Sequence, residues 1–315
     1  MGKNNSRSAY RGRKGRRWII YRAILLIFIV FLAFLSIYFI NLNQKNIPAR
    51  KDLLQLWASN QFEELYQISG EQLLQKPLDY FLLTIHGFSA YQLAIAQINN
   101  FSMLTYIDNC IWSLRKALLL KEGREDGRLF YVLGKAYYYK GTGYGDLAVK
   151  YLEKSGETGY WEKDIPEYLG MSYINIKDYS SSISAFAGAL NNTAGSGSSP
   201  SDTLLLSIAN SYIALDEDDA AYAYLARCLE VSKDSKIISA ARLSLGDILF
   251  RRGDLDGAEE QCVRVINETG GSADAHYRLG EIYSRQGEPV RARAEWRRAV
   301  QIDPSHASAR SRLNL

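Results

Sequence analysis

The most regular hydrophobic pattern of the chain lies near its end, between Ala273 and Pro304. Large, small and turn-forming residues follow one another there as Leu279, Gly280, Tyr283, Gly287, Ala292, Trp296, Ala299 and Pro304. This spacing predicts two antiparallel helices that are joined by a turn at Gly287 and ended by the proline. The small side chains let the helices approach closely, while the large ones fill the space between them and reach the next hairpin.

The same pattern returns at a period of about 34 residues, which predicts an array of helix hairpins. Leu245-Gly246 heads the preceding unit, Ile208-Ala209 the one before it, and Leu169-Gly170 and Leu133-Gly134 head the two earlier ones. We predict repeats within 127–304, with approximate bounds 127–162, 163–196, 202–238, 239–272 and 273–306. A weaker pattern over 43–126 predicts degenerate repeats, and residues 305–315 a short capping segment, because terminal units of such arrays are atypical.

One stretch, residues 191–201, breaks the hydrophobic pattern between two predicted repeats. Its Gly and Ser residues lower the apolar content, which predicts an exposed, mobile loop. Two interpretations stay open: an insertion that the array tolerates, or a joint at which two halves of the array flex.

An uncharged apolar segment precedes the repeats, between Ala23 and Ile40. In helical form these residues cover about 27 Å, and Trp18 to Tyr21 extend them to the roughly 30 Å hydrocarbon core of a bilayer. We therefore predict a transmembrane helix at 18–42. A cleaved signal peptide and a buried core helix are the alternatives, but no small-residue cleavage site follows the segment.

The charge distribution gives this predicted helix an orientation. The net charge of the chain is +4, and the cations before the apolar segment have no acid among them: Lys3, Arg7, Arg11, Arg13, Lys14, Arg16, Arg17 and Arg22. The positive-inside rule places the basic tail, residues 1–17, in the cytoplasm and the repeats outside the inner membrane, in the periplasm if the cell is bacterial. Beside a membrane helix, anionic lipid is favoured over nucleic acid as the partner of the tail. The rest of the chain is mildly acidic, so we expect no nucleic-acid binding there.

The hairpin at 273–306 resembles a tetratricopeptide repeat, whose pattern is W-x2-L-G-x2-Y, then A-x3-F, then P. The matching residues are Leu279, Gly280, Tyr283, Ala292, Trp296 and Pro304, and His276 stands where the leading Trp would be. The resemblance implies an all-α solenoid of helix hairpins, here preceded by a single transmembrane helix. In such a solenoid the first helices line a concave groove and the second helices form the outer wall.

The resemblance also implies which residues line the groove, through the groove positions of the family. In the first two clear repeats these are Arg128, Tyr131, Lys135, Tyr138 and Tyr139, then Asp164, Glu167, Met171, Ile174 and Asn175. The later repeats contribute Leu206, Asn210, Ile213, Leu243, Asp247, Phe250, Arg251, Tyr277, Glu281 and Arg285. This mixture of aromatic, apolar and charged residues favours a peptide or helix as partner. The Lys and Asn clamp that some members use to grip a terminal carboxylate is absent, and self-packing of the groove stays an alternative.

The chain offers no recognisable catalytic, cofactor or metal site. Its histidines, His86, His276 and His306, fall in separate repeats, and the glycine-rich stretch 141–145 joins two predicted helices with no strand before it. The acids at 216–219 occupy a predicted turn and helix start, where negative charge favours the helix dipole. For Cys228 and Cys262, two interpretations stay open: a disulfide in an oxidising compartment, or small buried apolar side chains.

These features together predict a non-enzymatic, single-pass scaffold that recruits or organises other proteins outside the inner membrane. Anchored tetratricopeptide proteins of this layout include accessory subunits of secretion translocons and collar proteins around periplasmic flagellar motors. The alternatives are a structural component that associates with itself, and a scaffold of reversed topology that faces the cytoplasm.

Overall fold

The computed structural model describes residues 22, 25–38, 48–195, 199–269 and 271–314. Within these ranges the secondary structure consists of helices, and no strand occurs. The prediction of an all-α fold is therefore confirmed. The chain divides after Pro77 into two units.

The first unit contains a helix in the apolar segment and one short hairpin. Residues 25–38 form α1, whose apolar side chains are exposed. The basic tail 1–17, and positions 18–21, 23–24 and 39–42 of the predicted transmembrane helix, lie outside the described residues. Of the helices that the structure describes, none has the combined length and apolar character required to cross a membrane.

The hairpin of the first unit consists of α2 (Arg50–Ala58) and α3 (Phe62–Gln75). Leu53 and Leu65 are buried in it. The rings of Trp57 and Phe62 meet edge to face across the turn, with 5.1 Å between their centroids. The degenerate pattern upstream of the clear repeats therefore does form a helix pair here.

The second unit is a series of helix pairs. They are α4 (Tyr80–Ile95) with α5 (Asn100–Ala117), α6 (Gly127–Lys140) with α7 (Gly145–Glu157), α8 (Ile165–Asn175) with α9 (Tyr179–Gly195), α10 (Asp202–Ala214) with α11 (Asp218–Val231), α12 (Ser235–Arg252) with α13 (Leu255–Thr269), and α14 (Ala273–Arg285) with α15 (Pro289–Ile302). A final helix, α16 (Ala307–Leu313), packs on α15. Short 3-10 helices at Glu122–Glu125 and Thr142–Tyr144 lie in the connections before and after α6.

One turn geometry joins the helices of four of these pairs. A residue with left-handed backbone follows one or two positions after the end of the first helix, and the next amide donates to a carbonyl five residues earlier. The left-handed residues are Lys177 (φ 62°), Asp216 (φ 58°), Gly253 (φ 84°) and Gly287 (φ 81°). The hydrogen bonds run from Asp178 to Tyr173, Glu217 to Tyr212, Asp254 to Leu249 and Glu288 to Tyr283, with N···O distances of 2.9, 2.9, 3.0 and 2.9 Å. The turn predicted at Gly287 is one of this series.

Close helix contact within the last pair depends on Gly280. A Cβ atom at this position would lie 2.4 Å from Nε1 of Trp296 and 3.1 Å from the carbonyl oxygen of Ala292. Because real Cβ atoms essentially never approach another atom to 2.4 Å, only glycine allows Trp296 to pack this closely against α14. The sequence interpretation of Gly280 as a contact residue is borne out by this geometry.

Neighbouring pairs stack through their first helices. α4 contacts α6, α6 contacts α8, and the series continues through α10 and α12 to α14. Each second helix packs against its own partner and against the first helix of the following pair. The first helices therefore share one face of the second unit, which we call the inner face.

The structure corrects the prediction of a loop over 191–201. Helix α9 continues to Gly195, so residues 191–195 are helical, while 196–198 lie outside the described residues. Asn192 holds this last turn through its side-chain amide, which donates to the carbonyl of Lys163 at 3.0 Å. Composition alone missed this contact with the connection before α8.

Two of the acids at 216–219 and the cysteines have structural roles. Asp218 pairs with Arg251 at 2.5 Å and Asp219 with Arg252 at 2.6 Å. Cys228 and Cys262 are free and buried, as is Cys110. The interpretation of Cys228 and Cys262 as small buried apolar residues is confirmed, and the disulfide is not formed.

Candidate functional site

The predicted groove residues all lie on the first helices of their pairs or directly before them. Those of the first two clear repeats lie on α6 and α8, with Asp164 at the N-cap of α8. The remaining ones lie on α10, α12 and α14. The structure thus places the predicted groove residues on, or directly before, the helices that share the inner face. Their role in binding stays a prediction.

The densest feature of the inner face is a group of tyrosines from three successive first helices. We call Tyr91, Tyr131, Tyr138, Tyr139 and Tyr168 the tyrosine cluster. The ring centroid of Tyr138 lies 5.4 Å from that of Tyr139 and 5.3 Å from that of Tyr168, and both ring pairs meet edge to face. The hydroxyls of Tyr139 and Tyr168 are 2.9 Å apart, and Tyr91 lies 6.3 Å from Tyr139 between ring centroids. The cluster therefore joins α4, α6 and α8 into one aromatic surface.

An ion pair between the buried Lys135 and the half-buried Asp164 holds one side of the tyrosine cluster. Nζ of Lys135 lies 2.8 Å from Oδ2 of Asp164 and donates to the hydroxyl of Tyr131 at 2.9 Å. The Tyr131 hydroxyl in turn donates to Asp164 at 2.9 Å. The same ammonium lies 4.5 Å from the ring centroid of Tyr168. Because its charge is satisfied inside the protein, Lys135 is not available to bind a carboxylate.

Tyr138 and Met171 form the next part of the inner face toward α8. The Tyr138 hydroxyl donates to Sδ of Met171 at 2.9 Å. Both side chains are half-buried, so part of each remains open to a ligand. An aromatic ring and a thioether side by side provide an adaptable apolar contact surface.

Burial determines the electrostatics of this region. It raises the pKa of Tyr91, Tyr131, Tyr138 and Tyr168 above the ordinary value, so these phenols stay neutral. Burial, followed by the nearby charge of Asp164, also raises the pKa of Glu167. Glu167 is thus the partly desolvated acid of this surface.

The middle of the inner face, on α10, is neutral. Leu206 and Ile213 are only partly buried and pack against a core cluster of the repeat. Asn210 is exposed. This helix offers apolar surface and one amide to a ligand, with no charged group at the predicted groove positions.

The groove positions toward the end of the chain are occupied by contacts between repeats. Asp247 accepts two hydrogen bonds from Arg278, at 2.8 and 3.0 Å. Arg285 donates to the carbonyl of Phe250 at 2.9 Å, and Glu281 pairs with Arg312 of α16. A cavity of about 370 Å³ between α12, α14 and α16 is lined by several of these residues. Their charges mainly tie one repeat to the next.

Sequence reasoning missed Tyr91 and Tyr168 as parts of the inner face. Tyr168 occupies a position that is not a groove position of the family, and Tyr91 falls in a repeat too degenerate to align. The one available signal was the abundance of tyrosine, 22 residues in the chain. Only the packing of α4, α6 and α8 brings these rings together.

Two side chains with potential chemistry, His276 and Cys262, are buried in the second unit. Across the parts of the chain that the structure describes, no group of three or more His, Cys, Asp or Glu residues could hold a metal ion. His276 contacts Glu295 through Nδ1 at 2.6 Å, and both side chains are buried between α14 and α15. Burial raises the pKa of the Cys262 thiol to about 12, which suppresses its thiolate.

Family models identify the repeats of the second half of the chain. Models described as tetratricopeptide repeat match residues 203–235, 239–264 and 273–306. These segments are tetratricopeptide repeats (TPRs). They coincide with the pairs α10–α11, α12–α13 and α14–α15, and the remaining helix pairs of the second unit continue the same stack.

Solved TPR structures share the fold. The C-terminal part of a TPR repeat-containing protein from Cytophaga hutchinsonii is 15% identical over 84% of this chain and 99% of that chain, with a TM-score of 0.59. A TPR protein from Parabacteroides merdae is also 15% identical, over 84% and 95%, with a TM-score of 0.50. YrrB, described as a TPR protein with an unusual peptide-binding site, is 23% identical over 64% and 98%, with a TM-score of 0.49. No curated protein sequence matches the chain.

Proposed function

We propose that this protein is a non-enzymatic, membrane-anchored scaffold whose TPR array binds a peptide or helix of another protein on its inner face. The observation that carries the proposal is the tyrosine cluster. Tyr91 is buried, while the rings of the other four members are half-buried and form an aromatic surface of the kind that anchors a protein partner. TPR proteins bind other proteins or peptides, which agrees with this assignment.

The physical advantage of such a surface is its rigidity. Tyr138 and Tyr139 lie on α6, whose backbone is fixed by the stack, and each loses few rotatable bonds on binding. Aromatic anchors on a preformed surface limit the entropy lost on association. The apolar positions Leu206 and Ile213 extend the same face along α10. We infer that an extended segment lies along α6, α8 and α10.

The proposal includes a membrane anchor at 18–42, with the basic tail in the cytoplasm, where it contacts anionic lipid. The repeats then lie on the extracytoplasmic side of the inner membrane, in a secretion or flagellar-motor assembly or one of similar layout. The uncharged sequence between Ala23 and Ile40 supports the anchor, as does the exposure of α1, where Ile27 and Phe34 are each 70% exposed. A reporter fused after Leu315 that is active only in the cytoplasm would contradict this orientation.

Photo-crosslinking of the full-length protein in its own membrane tests the interaction function. A photoreactive phenylalanine analogue replaces Tyr138 on the inner face or, as control, Lys154 on α7, whose side chain is 50% exposed. We expect a foreign protein to be crosslinked from position 138 and not from position 154. Adducts that are the same from both positions, or that contain only this protein, would contradict the proposal.

A second candidate function, self-association, is favoured by an exposed apolar surface at the turn between α4 and α5. Ile98 is fully exposed and Phe101 is 83% exposed, with Ile95 and Leu104 also exposed beside them. A contiguous exposed apolar patch of this kind often marks a surface that another protein covers. Analytical ultracentrifugation of the protein and of a Phe101→Ser variant distinguishes this function. A monomer at all concentrations would exclude it.

A further inference from the structure

One carboxylate on α8, the helix that carries Tyr168, has no ion-pair partner among the described residues. Glu167 lies on α8, four residues before Met171, and is half-buried. Among the described residues it has neither a hydrogen bond nor an ion pair. The pKa of Tyr138 is raised mainly by burial, and then by the nearby groups Tyr139 and Glu167.

The cations of the surrounding helices are already paired. On α6, Arg128 pairs with Asp126 at 2.6 Å, Lys135 with Asp164 at 2.8 Å, and Lys140 with Asp108 at 2.5 Å. Helices α8 and α10 contain no Lys or Arg. The inner face at α6, α8 and α10 therefore presents aromatic rings and one unpaired negative charge.

We propose that Glu167, with the ring of Tyr138 and the thioether of Met171, forms a subsite for a basic side chain, Arg or Lys, of the bound peptide. This inference rests on the proposed function, because it names the side chain that the groove selects.

Charge complementarity favours a cation over the other possible occupants. A guanidinium or ammonium group gains a charge-assisted hydrogen bond from a partly desolvated carboxylate, and a neighbouring aromatic face adds to the attraction. A carboxylate would meet Glu167 with like charge, and Lys135 cannot compensate because Asp164 holds it. A purely apolar side chain would leave Glu167 further desolvated and still unpaired.

Selection from a phage-displayed library of random peptides against the immobilised full-length protein tests the subsite. The wild type is compared with Glu167→Gln and with Glu157→Gln, which removes an exposed carboxylate from α7. Selected peptides are then synthesised with their basic residue and with Gln in its place. Matching circular dichroism spectra show that the variants fold as the wild type does.

We expect the wild type and Glu157→Gln to enrich Arg or Lys at one peptide position. Replacing that residue by Gln should weaken binding about tenfold or more, and Glu167→Gln should weaken the unchanged peptide to a similar degree. In the Glu167→Gln protein the peptide substitution should have little further effect. The peptide series alone remains decisive if the protein variant does not fold.

Other outcomes separate the two proposals. If the wild type selects apolar or acidic peptides, and Tyr138→Ala weakens them, the subsite is overturned while the groove stands. If the same peptides bind wild type, Glu167→Gln and Tyr138→Ala equally, or if no peptide is selected, both proposals are overturned.

Discussion

Replacing Gly280 by Ala is a sharp test of how the repeats pack. A methyl group there would enter the space of the Trp296 ring, at 2.4 Å from Nε1 and 2.5 Å from Cδ1. Trp296 is 7% exposed and cannot swing away freely, and the carbonyl of Ala292 closes the other side. Overpacking of this kind costs about 1–3 kcal/mol.

The matching position one repeat earlier supplies the control. A Cβ at Gly246 would meet its nearest atoms, the carbonyl oxygen of Ala258 and Cβ of Gln261, at an ordinary 3.6 Å. Cys262 stands there in place of a tryptophan, with Sγ at 3.9 Å. Gly246→Ala should therefore raise the free energy of unfolding by about 0.5–1 kcal/mol, the usual gain in a helix interior.

The same helix-propensity gain applies at Gly280, so the difference between the two variants isolates the overpacking. We expect Gly280→Ala to be about 1–3 kcal/mol less stable than Gly246→Ala. The assay is urea unfolding of the full-length chain in mild detergent, followed by circular dichroism. Hydrogen exchange then assigns the loss to α14 and α15, because repeats can open separately. Equal stability of the two variants would refute the packing argument.

Three further predictions test other contacts of the second unit. The Cys262 thiol, whose pKa burial raises to about 12, should resist iodoacetamide at mildly alkaline pH until the protein is unfolded. Labelling in the native state at the rate of the unfolded chain would contradict this. Lys177→Gly should stabilise the protein by up to about 1 kcal/mol because it removes a left-handed lysine, whereas Gly287→Lys should destabilise it. In thermal unfolding, a destabilised Lys177→Gly variant or a stabilised Gly287→Lys variant would contradict the turn geometry. Phe186→Ala should lower the free energy of unfolding by about 3–5 kcal/mol, since its side chain is fully buried, and a change below 1 kcal/mol in the same urea assay would contradict that burial.

The sequence predicts the fold well where large and small residues alternate strictly. The pattern around Gly280 and Trp296 predicted helix hairpins, and the family models confirm TPRs over three of the predicted repeats. The same pattern treats Gly246 and Gly280 alike, although only Gly280 is tightly enclosed. That difference depends on the residue that faces each glycine across the hairpin.

The candidate site was less accessible to sequence reasoning. The groove positions of the family predicted Tyr138 and Glu167 as groove residues. They did not include Tyr168 or Tyr91, whose rings complete the tyrosine cluster. Nor could spacing show that Asp164 neutralises Lys135 while Glu167 stays unpaired, because both facts depend on distances between α6 and α8. Composition also predicted a loop where Asn192 keeps α9 helical through its contact with Lys163.

The central claim is that the tyrosine cluster of the inner face binds the partner. Isothermal titration of a selected peptide measures it directly, with the wild type, Tyr138→Ala and, as control, Tyr222→Ala on the second helix α11. Tyr222 is 39% exposed, so the control removes a comparable ring from another surface. We predict a loss of affinity of about tenfold or more for Tyr138→Ala and none for Tyr222→Ala. Equal affinities for all three proteins, or an equal loss in both variants, would contradict the account.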